Sequence, residues 1–242
     1  MFNLLKAECR QFVKEKVFKL EIILSVIMTA VMIAISFLED TNVASTMFSG
    51  FIVLGFLYPP MCGSIIFADF KQKTINNKII TGHSRWSICL SKIIVAIALW
   101  LIVTTIYTSL FSIVGTLFLG GLDVSWNIFY KNMLVVMMGG LFIVSLAFFF
   151  SMAIPNEIGL GIATVTTEVI PMSSMFLMEF LSLNEKYTDL LNWIQAVPIT
   201  KTMMLTIETA PEHIEYSIII TIISTMTFFF GGFLVFQNKD LP

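Results

Sequence analysis

Long apolar blocks recur along this chain, and the polar residues gather between them. A bilayer core about 30 Å thick calls for roughly 20 mostly apolar residues in helical form. Six blocks meet that length, over residues 20–38, 47–67, 93–119, 133–153, 158–180 and 216–236. Each is expected to be helical, because lipid offers no partner to an open backbone. The first is too long to be the apolar part of a cleaved signal sequence, which runs about 7–15 residues, and five more follow it.

The intervening stretches carry finer patterns. Within residues 1–18, Phe2, Leu5, Cys9, Phe12 and Val13 fall at helical spacing, while Lys6, Glu8, Arg10, Lys14 and Glu15 fill much of the remainder. That predicts an amphipathic helix lying in the membrane interface, its basic residues towards anionic headgroups. In the connection 68–92, Ile75, Ile79 and Ile80 form a short apolar stripe that predicts a brief helix, and Gly82 is placed to end it. Trp86 and a snorkelling Lys92 then lead into the third block. Thr74, Asn76 and Asn77 are polar but uncharged, which suits a protein cleft better than a headgroup layer. The alternative is a helix resting on lipid. Residues 181–215 hold apolar pieces at 190–194 and 203–205, too short to span and punctuated by Pro198 and Pro211. They predict short helices on or dipping into the membrane surface.

Composition turns this pattern into a fold class. Apolar residues make up 57% of the chain and charged ones 12%, against about 25% charged in a soluble domain. So much apolar surface cannot be buried in one water-soluble core, and the expectation is an all-α integral membrane protein with six transmembrane helices. Charge placement sets its orientation. Lys6, Arg10, Lys14, Lys16 and Lys19 precede the first block; Lys71, Lys73, Lys78, Arg85 and Lys92 lie in the second connection; Lys239 ends the chain. The opposite side receives Lys131, Lys186 and Lys201. Both termini and the 68–92 loop are therefore expected in the cytoplasm, and 181–215 outside. A net charge of −2 gives no reason to expect a nucleic-acid partner. Cys9, Cys62 and Cys89 lack metal or redox spacing and read as apolar fillers, and His83 and His213 have no companion ligands.

Ionisable residues at membrane depth are functional suspects. Glu168 sits half-way along the fifth block, with Thr164 one turn before it on the same face, Thr166 and Thr167 adjacent, and Pro171 following. That face could line a polar pathway or a subunit seam, or Glu168 could be hydrogen-bonded in the bundle with a structural role. Pro59 and Pro60 break the second block near its middle, where a bend can open a cavity or stay static. Gly139-Gly140 and Gly231-Gly232 permit close helix approach. The 15 methionines and 23 phenylalanines read as apolar bulk.

The acidic Asp69, then Thr74, then Ser84-Arg85, then Lys92 at the start of the third block, followed at the far end by Phe236 and Lys239-Asp240-Leu241, form a pattern. It resembles the membrane subunits of type-2 exporters of the ATP-binding cassette (ABC) superfamily. Lys73 and Gly82-His83 depart from it, since many members have Gly before the Thr and Pro before the Ser-Arg pair. The loop is most similar to small permeases of Firmicutes, including those near peptide-antibiotic export and immunity systems. The resemblance implies that Thr74–Ile80 is a coupling helix seated in a cytoplasmic ATPase subunit, with Asp69, Thr74, Ile75, Asn76, Lys78, Ile79 and Arg85 as coupling residues. It further implies two permease copies, or two related permeases, per pair of ATPases in a bacterial plasma membrane. Export of an amphipathic or antimicrobial peptide is the expected task. The chain has no Gly-rich phosphate loop ending in Lys-Ser or Lys-Thr. It is therefore not expected to be an enzyme: ATP and Mg would be used by the partner ATPase, with no cofactor bound here.

Three rivals have less support. An intramembrane protease would need a Ser/His pair, paired Asp or a Glu/His metal site, yet neither His and no Asp lies in a block. An ion-coupled secondary transporter or channel would show several intramembrane charges and broken helices in matching repeats. A scaffold or sensor leaves the loop pattern without a purpose.

Overall fold

The computed structural model of the chain describes residues 2–14, 16–39, 42–71, 74–118, 124–154, 157–183, 187–205 and 210–238. Among them there are ten helices and no strand: α1 (Phe2–Lys14), α2 (Lys16–Glu39), α3 (Val43–Lys71), α4 (Thr74–Ile80), α5 (Arg85–Phe118), α6 (Trp126–Ala153), α7 (Glu157–Ser182), α8 (Thr188–Gln195), α9 (Pro198–Met203) and α10 (Ile214–Gln237). Four of them, α5, α6, α7 from Gly161 onward, and α10, are long and apolar enough among the described residues to cross a membrane. The first two predicted blocks form α2 and α3, whose apolar stretches run over Ile22–Leu38 and Val43–Gly55.

The sequence explains why these segments pack as they do. Helix α6 is apolar all round and buries Val135, Val136, Phe142, Ile143, Val144, Leu146 and Phe148, as expected of a helix enclosed by others. It touches α3, α5, α7, α9 and α10. Facing it, α3 buries Phe48, Phe51 and Tyr58, and α5 buries Trp100, Tyr107 and Phe111. Buried tyrosines need partners for their hydroxyls. Tyr107 donates to the Met47 carbonyl at 3.0 Å, and Tyr58 donates to the Ala96 carbonyl. Both bonds join α3 to α5. By contrast, α7 and α10 turn Val165, Val169, Phe176, Ile222, Met226 and Phe230 outward, a surface suited to lipid or another apolar chain.

Several expectations need correction. Pro59 and Pro60 do not end their helix: α3 runs through both. Proline is tolerated in such helices because packed neighbours and small local adjustments re-satisfy the freed carbonyls. On α1 the inward residues are Leu4 and Glu8, with Leu5 half-buried, while Cys9 and Val13 are exposed; the side chains of Phe2 and Phe12 lie outside the described residues. The described part of the stripe is thus divided: Leu5 packs against the core of the bundle, and Cys9 and Val13 face outward. Two short helices, α8 and α9, are present in the stretch 181–215, and α9 is inserted among the longer helices. Ile199 and Thr200 are buried, and the Ser174 and Thr200 hydroxyls lie 2.7 Å apart, joining α7 to α9.

Gly139 and Gly140 explain the insertion. A Cβ on Gly139 would meet Thr202 Oγ1 of α9 at 2.8 Å, and one on Gly140 would fall 2.0 Å from Trp100 Nε1. The Trp100 ring is itself held edge-on by Tyr58, with centroids 4.9 Å apart. Gly140→Ala is therefore expected to cost about 1–3 kcal/mol through overpacking. Gly161→Ala, where the added carbon meets nothing within 4 Å, should not destabilise. Thermal unfolding of the two variants in detergent decides this, and equal stability would refute the packing described here.

Candidate functional site

Four charged side chains from four helices meet where α3 ends and α5 begins, beyond the apolar stretch of residues 47–67. Asp69, one turn from the end of α3, is fully buried and accepts from Thr74 Oγ1 at 2.6 Å. Lys92 Nζ lies 2.6 Å from Asp69 Oδ2 and 3.6 Å from Glu8 Oε2. Lys78 Nζ donates to Glu8 Oε1 at 2.5 Å and also to Asp69 Oδ2. Glu8 and Lys92 are both buried. Two carboxylates and two ammonium groups thus come together so that each acid touches both lysines. It ties α1, α3, α4 and α5 together.

Burial alone would raise the Asp69 carboxyl. The charge of Lys92 and the hydrogen bonds from Lys78, Lys92 and Thr74 outweigh it and hold Asp69 down at about 2. Burial likewise works against a charged Lys78, but its hydrogen bonds to Asp69 and Glu8 prevail and push it up. Both groups are therefore ionised at neutral pH. Lys92 does not snorkel, as its sequence position suggested. Two buried carboxylates lie within reach, and ion pairing there replaces the water that snorkelling would seek.

Helix α4 is set on this base with a defined polarity. Thr74 and Lys78 point to the cluster, and Ile75 is buried against the bundle. Ile79 and Asn76 are partly buried. Asn77 and Ile80 are exposed, Ile80 by 81%. The predicted stop at Gly82 is a complete Schellman cap: the Gly82 N–H reaches the Ile79 carbonyl at 2.9 Å, and the His83 N–H reaches the Lys78 carbonyl at 3.1 Å. Gly82 has φ of +90°, open to glycine and strained for other residues. Gln72 and Lys73 lie outside the described residues. Arg85 is not in the ion cluster. Its Nη1 donates to the carbonyls of Phe236 and Gln237 at the end of α10.

Of the residues predicted to line a pathway, Pro59, Thr164 and Pro171 have described side chains. Pro59 is buried, and the side chains of Pro60 and Glu168 lie outside the described residues. On α7 the inward stripe is Ala163, Thr167, Pro171, Ser174 and Met178, with Thr164 half-buried beside it. Pro171 lies between Thr164 and Thr167 in helical phase, seven and four residues from them, and so borders both. Thr167 lines a cavity with Phe51, Trp100, Gly139, Ile199 and Thr202, containing about 370 Å³ of empty space. Sequence reading missed this cavity because its walls come from five helices. A second cleft, with about 530 Å³ of empty space, lies beside Lys201. Burial lowers the pKa of Lys201 despite the nearby Glu212 and Glu215, and its ammonium donates to the Glu212 carbonyl. Among the described residues no group of three His, Cys, Asp or Glu side chains could hold a metal ion.

Among known families, the model described as ABC-2 type transporter matches residues 1–203. That range includes α1 to α9 and all four members of the ion cluster. None of the curated proteins matches the chain.

Removing one partner from a buried ion group leaves the rest with an unbalanced charge: without Lys92, two carboxylates share Lys78. Lys92→Ala is expected to cost about 3–5 kcal/mol, read as unfolding in detergent; wild-type stability in that variant would contradict the cluster. The acid side has a pH signature. Asp69 titrates at about 2 when folded, against 3.8 unperturbed. Its contribution is complete above about pH 4 and is lost as pH falls towards 2. The stability gap between wild type and Asp69→Asn should therefore close across that window.

Proposed function

Because this chain belongs to the ABC-2 type transporter family, we propose that it forms the membrane pathway of an ATP-driven exporter and receives its drive through α4. The family supports a membrane permease subunit that works with an ATPase and is not the catalytic ATPase itself. In our reading the working unit has two permease copies, or two related permeases, and two cytoplasmic ATPases that use ATP and Mg. The chain crosses a bacterial plasma membrane six times, with α2 and α3 as the first two crossings. Both termini are cytoplasmic, α1 lies in the interface, and α8 and α9 are on the outer side. The cargo is an amphipathic or antimicrobial peptide.

The ion cluster is the observation that carries this reading. A seven-residue helix on a loop transmits no force unless it is fixed to something larger. Here α4 is fixed through Thr74 and Lys78 to the end of α3, through Lys78 to α1, and through the shared Asp69 to Lys92 at the start of α5. Moving any one charge alone would leave the remaining three with an unbalanced buried charge, at a cost of several kcal/mol. Displacement of α4 therefore carries α1, α3 and α5 with it. An ATPase that contacts α4 differently in its open and closed states can in this way bias two arrangements of the bundle. Asp69, Thr74, Ile75 and Lys78 serve as the anchor of α4, and Asn77 and Ile80, exposed on the opposite side, as the face offered to the ATPase. Thr164, Glu168 and Pro171 on α7, with Pro59 and Pro60 on α3, are the residues we assign to the translocation pathway.

This separation of anchor from contact face can be tested. The double substitution Asn77→Arg with Ile80→Glu alters only exposed side chains of α4. The permease should stay folded by size-exclusion profile and thermal unfolding, but lose at least about tenfold in co-purification of its ATPase, a loss of about 1.4 kcal/mol in affinity. Full association in that variant would sink the docking assignment.

A further inference from the structure

We infer that Arg85 is a positioning residue that clamps the cytoplasmic end of α10 to the start of α5, so that movement of α4 reaches α10 as well as α3 and α5. This rests on the coupling role proposed for α4, and it gives Arg85 a task inside the permease, not at the ATPase surface.

Arg85 stands where its own helix does not favour it. It is the first residue of α5, whose first turn contains no acid to offset it, and the positive end of a helix dipole disfavours a cation. The end of α10 has the opposite deficit. Its last carbonyls have no partner within the helix, and its last turn contains no basic residue. Arg85 meets that need from 151 residues away. Its Nη1 donates to the Phe236 carbonyl at 2.9 Å and to the Gln237 carbonyl at 2.6 Å. The guanidinium also lies 5.7 Å from the centroid of the Phe236 ring, within cation–π range.

The aromatic residues around this contact extend it to the ion cluster. Phe236 is fully buried and meets the edge of Phe70 at 6.0 Å between centroids. Phe70 is the neighbour of Asp69. At the start of α5, Trp86 meets Phe233 edge-on at 4.8 Å. The end of α3 thus joins the ion cluster through one residue and the end of α10 through the next. Arg85 is only five residues beyond Ile80, across the capped turn at Gly82. Helix α10 in turn packs against α6, which also contacts α9. The clamp therefore gives a displacement at α4 a second route into the bundle.

The test uses the permease–ATPase complex in nanodiscs. Cys9 is exposed, whereas Cys62 and Cys89 are buried, so Cys9→Ser gives a background in which a bimane fluorophore can be placed at Asn238→Cys, just beyond α10. Wild type should show a fluorescence change at position 238 on adding ATP, Mg and vanadate. Arg85→Gln should lose at least about threefold of that response while the ATPase still co-purifies, and Arg85→Lys, which keeps the charge but not the planar stacking, should retain part of it. No response in wild type, or a full response in Arg85→Gln, overturns the clamp. Should the ATPase not bind even the wild-type permease, the docking reading fails by itself. The clamp is then judged on the permease alone, by a spin label at position 238. That label should be ordered in wild type and mobile in Arg85→Gln, and equal order in both overturns the proposal.

Discussion

A buried charge without a partner costs far more than a folded chain can spare, and the base of this molecule is arranged around that constraint. Asp69 and Lys92 are about as inaccessible as any residue in the chain, and Glu8 is close behind. None could occupy its place alone. Such a cluster adds little net stability compared with an apolar equivalent. Its effect is on geometry: four helices are held in one arrangement because partial separation is worse than either full pairing or full exposure to water. A hydrophobic contact at the same point would tolerate sliding, since it has no direction. An ion group held at 2.5–3.6 Å does not.

That difference separates the two ends of the bundle. Near the loop, contacts are charged and directional: the ion cluster, the Schellman cap, and Arg85 on the carbonyls of α10. Near α9 they are fitted by shape, with the Lys201 ammonium on the Glu212 carbonyl as a charged exception. Gly139 and Gly140 make room, Thr202 and Trp100 fill it, and a single hydroxyl pair joins Ser174 to Thr200. Between the two ends, Tyr58 and Tyr107 anchor α3 to α5 through backbone carbonyls. The two ends are thus joined by different means, directional charge at the loop and close fit at α9.

Much of this was legible in the sequence, for a physical reason in each case. Apolar blocks of bilayer length produced long helices because the backbone has no other way to satisfy itself in lipid. The Ile75–Ile79 stripe and Gly82 predicted α4 and its cap because both signals are local. What the sequence did not reveal depends on partners far along the chain. Glu8 looked like one more charge on the polar face of α1, and nothing nearby marks it as the counterion of Lys78, 70 residues later. Lys92 looked like a snorkelling cation because its carboxylates come from α1 and α3. The insertion of α9 could not be read either, since a Gly pair shows that something can approach closely but not what does. On α7 the inward stripe runs through Ala163, Thr167 and Ser174, with Thr164 half-buried beside it; which residues of a helix face its neighbours is set by those neighbours, and the threonine-rich run alone does not give it.

The position of Asp69 brings these points together. A carboxylate one turn from the end of α3 lies near that helix's negative pole, where the dipole disfavours it. Arg85, at the start of α5, is misplaced in the complementary sense. Each would be a local error if its helix stood alone, and each is resolved by a group from another helix. Helices that satisfied their own ends could fold and move independently. Helices whose ends carry the wrong sign must share partners, and α3, α4, α5 and α10 are joined at this end through such exchanges. The local misfit is therefore the cause of the mechanical connection: because neither end is complete alone, a displacement of α4 cannot leave its neighbours where they were.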